Sequence, residues 1–476
     1  MASLVTRIRR QALHEAIPFA LPLGLCVAFL ITGASGNALV NLALQLLAVA
    51  LLLVCVWSRR LRPLPEVSRY FSVLAVLFVG LVALQLLPLP ASIRRGLPGG
   101  QEVANAFQLI GAEMGLTPIS LTPTESFAAI TMLLIPLGLL VFSSKLAWSA
   151  LTKRLVPVLA GVGLLSFALG IAQVGAPGSG FYFYENTNVG LPVGFFANAN
   201  HQACFLAMVI PFCFVGARRA QGNVPLRRRV EALAGVYVVA ALVLCFGIVF
   251  TGSFAGFGLM AIAVTAGVLI FQPDLLRRRL FLIAAPVAAG ITLTVLMVTS
   301  DDLLSLIGGG EDGRSLNRGD IWATTFRMIG DYWLTGSGLG SFPDIYRLYE
   351  DPEVLTNTYV NHAHNDYLEF WVETGVAGLL LLGLALAALV NLTLFAWQRP
   401  IIQPGTAMKR AAVVALWLPV LHSLVDYPLR TPAIALFASL CIAVIVANPA
   451  KTTRSAVRRP QSETPAADAM SQTVEI

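Results

Sequence analysis

The chain has 476 residues, 57% of them hydrophobic and 12% charged, with a mean hydropathy of +0.77. Soluble domains sit near about 45–50% apolar and about 25% charged, so the composition excludes an ordinary globular enzyme and describes a polytopic membrane protein. The formal charge of +7 is scattered between apolar runs, so it reads as a topology signal and no nucleic-acid partner is expected.

A bilayer core takes about 20 apolar residues per helix. Twelve runs qualify, over about 12–32, 37–57, 71–89, 126–144, 155–175, 201–217, 231–251, 254–271, 280–299, 370–397, 411–426 and 431–448. The first has an Arg-rich flank like a signal peptide, but its apolar part is too long and eleven runs follow, so it reads as a retained helix. With the N-terminus in the cytoplasm, 25 of the 32 lysines and arginines fall in cytoplasmic segments, and the seven outside are all arginine. The expected fold is an all-α polytopic membrane protein of about 12 transmembrane helices with one large periplasmic loop containing short helices. Its parts are helices 1–9 over 1–299, the loop over 300–366, helices 10–12 over 367–448 and a disordered cytoplasmic tail over 449–476. The six cysteines lie in or beside apolar runs without zinc spacing and read as fillers.

On this topology the polar residues collect at the outer interface. Asn198, Asn200 and His201 precede the sixth span, Thr251–Ser253 form the turn between the seventh and eighth, and Asp426, Tyr427 and Arg430 lie between the last two. Span interiors carry almost no ionisable groups, which argues against an ion-coupled transporter or a lipid-linked sugar flippase and favours chemistry at the outer face. In the large loop, Asn317–Trp333 has the spacing of an amphipathic helix. It reads either as an interfacial helix with its tryptophans at headgroup level or as one that presents Arg318 to a phosphate. Gly336–Gly340 has the glycines of a phosphate loop but no following Lys-Ser/Thr and no preceding strand, so turn chemistry is the better reading. Asp344–Glu350 suggests a short helix. The pairs Asp301-Asp302 and Glu311-Asp312 read as solvated loop, so no metal and no cofactor are expected.

The richest stretch is Asn361–Gly375, NHAHNDYLEFWVETG, with two histidines, three carboxylates and two amides beside an apolar run. A helix starting near Asn361–His364 would put His364, Leu368, Trp371 and Gly375 on one face. His362, Asp366, Glu369 and Glu373 would share another. Histidine is the base that needs no unusual tuning at neutral pH, and a nearby carboxylate can orient it. The alternative is a capping cluster, with Asn361 or Asn365 capping the helix and His362 at the wet interface.

The run His364-Asn365-Asp366-Tyr367-Leu368, followed by Glu373-Thr-Gly375 at the end of the largest outer loop, resembles the O-antigen ligase and polymerase family. The likeness includes Arg318-Gly-Asp-Ile-Trp322, the glycine turn up to Phe342, Gly194–His201 and His422–Arg430. The chain departs from the family in having Ala199 and Phe254 where arginines thought to grip the donor diphosphate often stand. The resemblance implies a protein of the bacterial inner membrane, with both termini cytoplasmic and the active site facing the periplasm. It implies glycosyl transfer from an undecaprenyl-diphosphate-linked glycan to a glycan or lipid A-core acceptor, without metal. His364 is then the general base, and Glu373 or Asp366 orients it. Asn365, Asn198 and Asn200 hold sugar hydroxyls, Arg318 and Arg430 take the diphosphate, and His201, Asp426 and Trp322 line the substrate site. A repeat-unit polymerase or a protein-glycosylating transferase would use the same chemistry.

Overall fold

The computed structural model describes Gly24 and residues 38–57, 61–222, 227–273, 318–350 and 359–447, without the side chains of 222–231. The runs 12–32 and 280–299, loop residues 300–317 with both acidic pairs, and the tail 449–476 lie outside the described residues.

Helices occupy the other ten apolar runs. In chain order they are α1 (Ala38–Trp57), α2 (Glu66–Gln85), the short α3 (Ala91–Arg94) and α4 (Gly100–Leu109), α5 (Pro123–Ser144), α6 (Trp148–Thr152) and α7 (Leu155–Gly175). Then come α8 (Ala199–Gly222), α9 (Arg227–Phe250), α10 (Phe254–Phe271), α11 (Arg318–Tyr332), α12 (Phe342–Tyr349), α13 (Asp366–Gln398), α14 (Thr406–His422) and α15 (Pro432–Val446). Among the described residues, eight helical stretches are long and apolar enough to cross a membrane, namely α1, α2, α5, α6 with α7, α8, α9, α10 and α13. Helix α15 is apolar but shorter, and α14 has 17 residues.

Helix α8 is the central post. Its Ala203–Ile210 stretch is inaccessible to solvent, and α7, α9, α10 and α14 surround it. Such all-round burial needs apolar residues on every face, which α8 supplies. Its aromatic side chains Phe205 and Phe212 meet Phe437 of α15 at ring distances of 6.1 and 5.8 Å. The peripheral α1 and α9 instead turn large apolar residues outward, among them Leu39, Val56, Val236 and Leu242, as lipid-facing helices do.

The two ends of the bundle differ in chemistry. At one end arginines close helix C-termini, where carbonyls lack partners and the dipole favours cations. Arg218 donates to Phe271 O (2.9 Å), and Arg410 to Ala396 O, Trp397 O and Arg399 O (3.3, 3.1 and 2.8 Å). The histidines and carboxylates gather at the other end. There α11, α12 and the start of α13 form a small second core of Ile321, Met328, Ile329, Tyr332, Phe342, Ile345, Tyr346 and Val372. The amphipathic helix expected over 317–333 is therefore α11. Its apolar face packs on protein, while Trp333 stays half exposed.

The expected continuous helix through Asn361–Gly375 is corrected in two ways. It begins only at Asp366, because Asn365 is its N-cap, its Oδ1 accepting from Tyr367 N and Leu368 N (3.0 and 3.1 Å). The two histidines therefore precede the helix and share no helical face with the carboxylates. The helix also breaks at Gly375 (φ 63, ψ −163), a conformation open essentially to glycine alone. A Cβ there would strike Leu334 O and Gly336 N. The break frees carbonyls, and the glycine turn meets them, with Ser337 N donating to Val372 O (2.9 Å) and Gly338 N to Glu373 O (3.0 Å). Gln85 of α2 adds a donor to Glu373 O (2.9 Å). The N–H groups a phosphate loop would offer are thus used by the helix end, as turn chemistry requires.

Gly375→Ala combines a forbidden φ with a backbone clash. A loss of about 3 kcal/mol or more is expected, read as a lowered thermal midpoint of the purified protein in detergent. Gly383→Ala, at a position with open space around it, is the control.

Candidate functional site

The N-cap fixes where the histidines lie. With the helix starting at Asp366, the chain before it must turn sharply, and His364 is the one non-glycine residue with positive φ (49°) among the described residues. Strained backbone persists only where its surroundings over-determine it, and they do so here. Trp322 Nε1 donates to Ala363 O (3.0 Å), and Ala363 N donates to Glu369 Oε2 (2.8 Å). On the far side Asn365 Nδ2 donates to Leu424 O (2.9 Å) and Asp366 N to Ser423 O (2.9 Å).

Held this way, His364 places Nδ1 3.3 Å from Oδ1 of Asp426, a fully buried carboxylate in the turn after α14. Asp426 also accepts from Asn200 Nδ2 (2.9 Å) and from Tyr427 N (3.0 Å). His201 Nε2 and His422 Nε2 approach it to 4.0 and 3.9 Å. Burial pushes its pKa up, but the His364 hydrogen bond and the surrounding imidazoles outweigh that and hold it well below the usual carboxylate range. An ionised partner at Nδ1 fixes the tautomer that leaves Nε2 of His364 as an acceptor. The His364 side chain is 28% exposed, so the ring stands at an open rim.

Beside this pair lies a knot of charge. Asp366, Glu369 and Glu373 stand one turn apart on one face of α13, as their spacing foretold, and all three converge on Arg430. Arg430 Nε pairs with Asp366 Oδ1 (3.2 Å), Nη1 with Glu369 Oε1 (3.2 Å) and Nη2 with Glu373 Oε2 (2.9 Å). Burial lowers the Arg430 pKa, but the three carboxylates outweigh it and raise it, keeping the guanidinium charged. Glu373 also accepts from Gly340 N (3.0 Å), and His362 places Nδ1 2.8 Å from Glu369 Oε1.

Tyr427 joins the two halves. Its ring lies on His362 (3.9 Å between centroids) and meets His364 and His201 edge-on (5.2 and 5.0 Å). Burial and Asp426 push its hydroxyl up to about 12, and Asn361 and Asn198 lie within hydrogen-bonding reach of it.

The expected site residues thus gather at one end of the bundle, several in parts other than those expected. Arg430 faces three carboxylates, where a phosphate had been expected. Glu373 and Asp366 hold Arg430, and Asp426 is the carboxylate that meets His364. Asn365 caps α13 and Asn198 caps α8, its Oδ1 accepting from Asn200 N (2.8 Å). His201 binds Thr431 Oγ1 through Nδ1 (2.9 Å), and Trp322 braces the histidine loop. Arg318 lies within electrostatic reach of His422. Sequence reasoning missed Tyr427 as the shared platform and Glu369 as the anchor of His362. The i, i+3, i+7 spacing of Asp366, Glu369 and Glu373 was the available signal for a shared cationic partner. No group of three or more His, Cys, Asp or Glu among the described residues is arranged to hold a metal ion.

Removing the guanidinium while keeping the bulk, Arg430→Met, leaves three carboxylates facing one another with their cation gone. A loss of about 3–5 kcal/mol is expected, read as a drop in thermal midpoint. Arg430→Lys recovers only part of it, because one ammonium cannot reach three carboxylates in a planar fork.

Residues 239–383 match the family model described as O-antigen ligase. No curated protein matches the chain. The matched segment contains Arg318, His362, His364 and Glu373, while His201, Asp426 and Arg430 lie outside it and join it only in space.

Proposed function

We propose that this chain, an integral-membrane protein carrying an O-antigen ligase segment, transfers a glycan from an undecaprenyl-diphosphate donor to an acceptor hydroxyl at the periplasmic face of the bacterial inner membrane. The observation that carries the reading is the His364–Asp426 pair, a carboxylate-oriented imidazole at an open rim.

In this reading His364 Nε2 takes the acceptor proton as the oxygen attacks the anomeric carbon, and Asp426 stabilises the imidazolium that forms. A single displacement inverts the anomeric centre. Arg318 is the cation offered to the diphosphate, since Arg430 is held by three carboxylates and organises the loop. Tyr427, Asn198 and Asn361 are candidates to bind sugar hydroxyls. The reaction runs without a metal, so activity persists in excess EDTA.

His364→Ala should lower glycan transfer by about 10²–10⁴-fold. Asp426→Asn, which keeps the shape but not the charge, should cause a large part of that loss. Surface polysaccharide of a host carrying each variant provides the measurement. Long unattached polymer identifies a ligase and single repeat units a polymerase. A normal size ladder with normal attachment in His364→Ala sinks the reading.

A further inference from the structure

Two imidazoles, not one, are held by carboxylates at this rim. His362 gives Nδ1 to Glu369 (2.8 Å), a carboxylate whose side chain is 1% exposed, and its ring lies on Tyr427, the ring His364 also meets. The two side chains are similarly open, at 25% and 28%. Among the described residues no hydrogen-bond partner stands at either Nε2. Glu369 does not need the histidine, since Arg430 Nη1 and Ala363 N already engage it. A base needs one such pair, so the second calls for its own account.

We propose that His362 is a second catalytic group, its Nε2–H donating to the phosphoryl oxygen that departs while His364 receives the acceptor proton. The inference rests on the glycosyl-transfer reading above. Arg430 is poorly suited to this task, because each of its nitrogens faces a carboxylate and an approaching diphosphate would meet three negative charges. For this role His362 must carry both protons, unlike His364, whose Nε2 stays free to accept; it then gives one N–H to Glu369 and the other to the leaving oxygen, a charge-assisted bond aimed where charge develops. In the step itself the acceptor O–H bond breaks and its proton goes to His364 Nε2. The acceptor oxygen bonds the anomeric carbon, and the carbon–phosphoryl oxygen bond breaks with its electron pair left on that oxygen. No oxidant or reductant takes part.

The test is binding of geranylgeranyl diphosphate to the purified full-length chain, with geranylgeraniol as the uncharged control. His362→Phe keeps a flat ring on Tyr427 and removes both nitrogens. It should weaken diphosphate binding by about tenfold, and His362→Arg should return it to within about threefold of the unchanged protein. His364→Phe should bind the diphosphate as the unchanged protein does, since His364 serves the acceptor. Equal binding by His362→Phe and the unchanged protein overturns the proposal. So does an equal loss in His362→Phe, His362→Arg and His364→Phe, which marks a structural effect. If the unchanged protein does not prefer the diphosphate to the alcohol, the donor assignment itself falls.

Discussion

The site depends on one guanidinium. Arg430 draws Asp366, Glu369 and Glu373 to a single point, and each carboxylate has a second task there. Asp366 accepts from Ser423 Oγ (2.7 Å), Glu369 holds the histidine loop, and Glu373 accepts from the glycine turn. Three carboxylates with little or no exposure would repel one another without a cation, and desolvation makes that repulsion expensive. The short turn between α14 and α15 is thereby pinned to the face of α13, and the same turn carries Asp426 and Tyr427. The charge knot and the His–Asp pair are two ends of one arrangement.

Around Asp426 a buried charge is surrounded by neutral-capable groups. Asn200, His201, His364 and His422 approach it from α8, the histidine loop and α14. Both ring nitrogens of His422, and Nε2 of His201, are buried without a hydrogen-bond partner among the described residues. The carboxylate stays ionised through its His364 hydrogen bond and the nearby imidazoles, with Asn200 and Tyr427 N as further donors. That leaves His364, the one of the three rings on the rim, as the route by which the charge is felt outside.

Much of this was legible in the sequence. Apolar run length marked the helices, and the spacing of Asp366, Glu369 and Glu373 marked their common face. The glycines of 336–340 read correctly as a turn because no lysine or strand accompanied them. The two histidines were misplaced because a polar run beside a helix does not announce where the helix starts. The Asn365 cap decides that, and sequence left Asn361 and Asn365 as equal candidates. The carboxylate for His364 was sought nearby in sequence and Arg430 was assigned to a phosphate, whereas packing brought Asp426 to His364 and all three acids to Arg430. Hydropathy locates helix ends along the chain, but it does not say which ends meet.

The break at Gly375 has a mechanical consequence. Below it, the long apolar part of α13 has partners of its own, with Trp417 Nε1 donating to Thr393 Oγ1 (2.9 Å) and Arg410 holding the carbonyls at its far end. Above it, the short helix is bolted to the glycine turn, to Gln85 and to Arg430, all of them off that axis. The two parts are thus anchored separately on either side of one glycine, so the short helix aims its carboxylates at Arg430 in a direction the long span does not dictate.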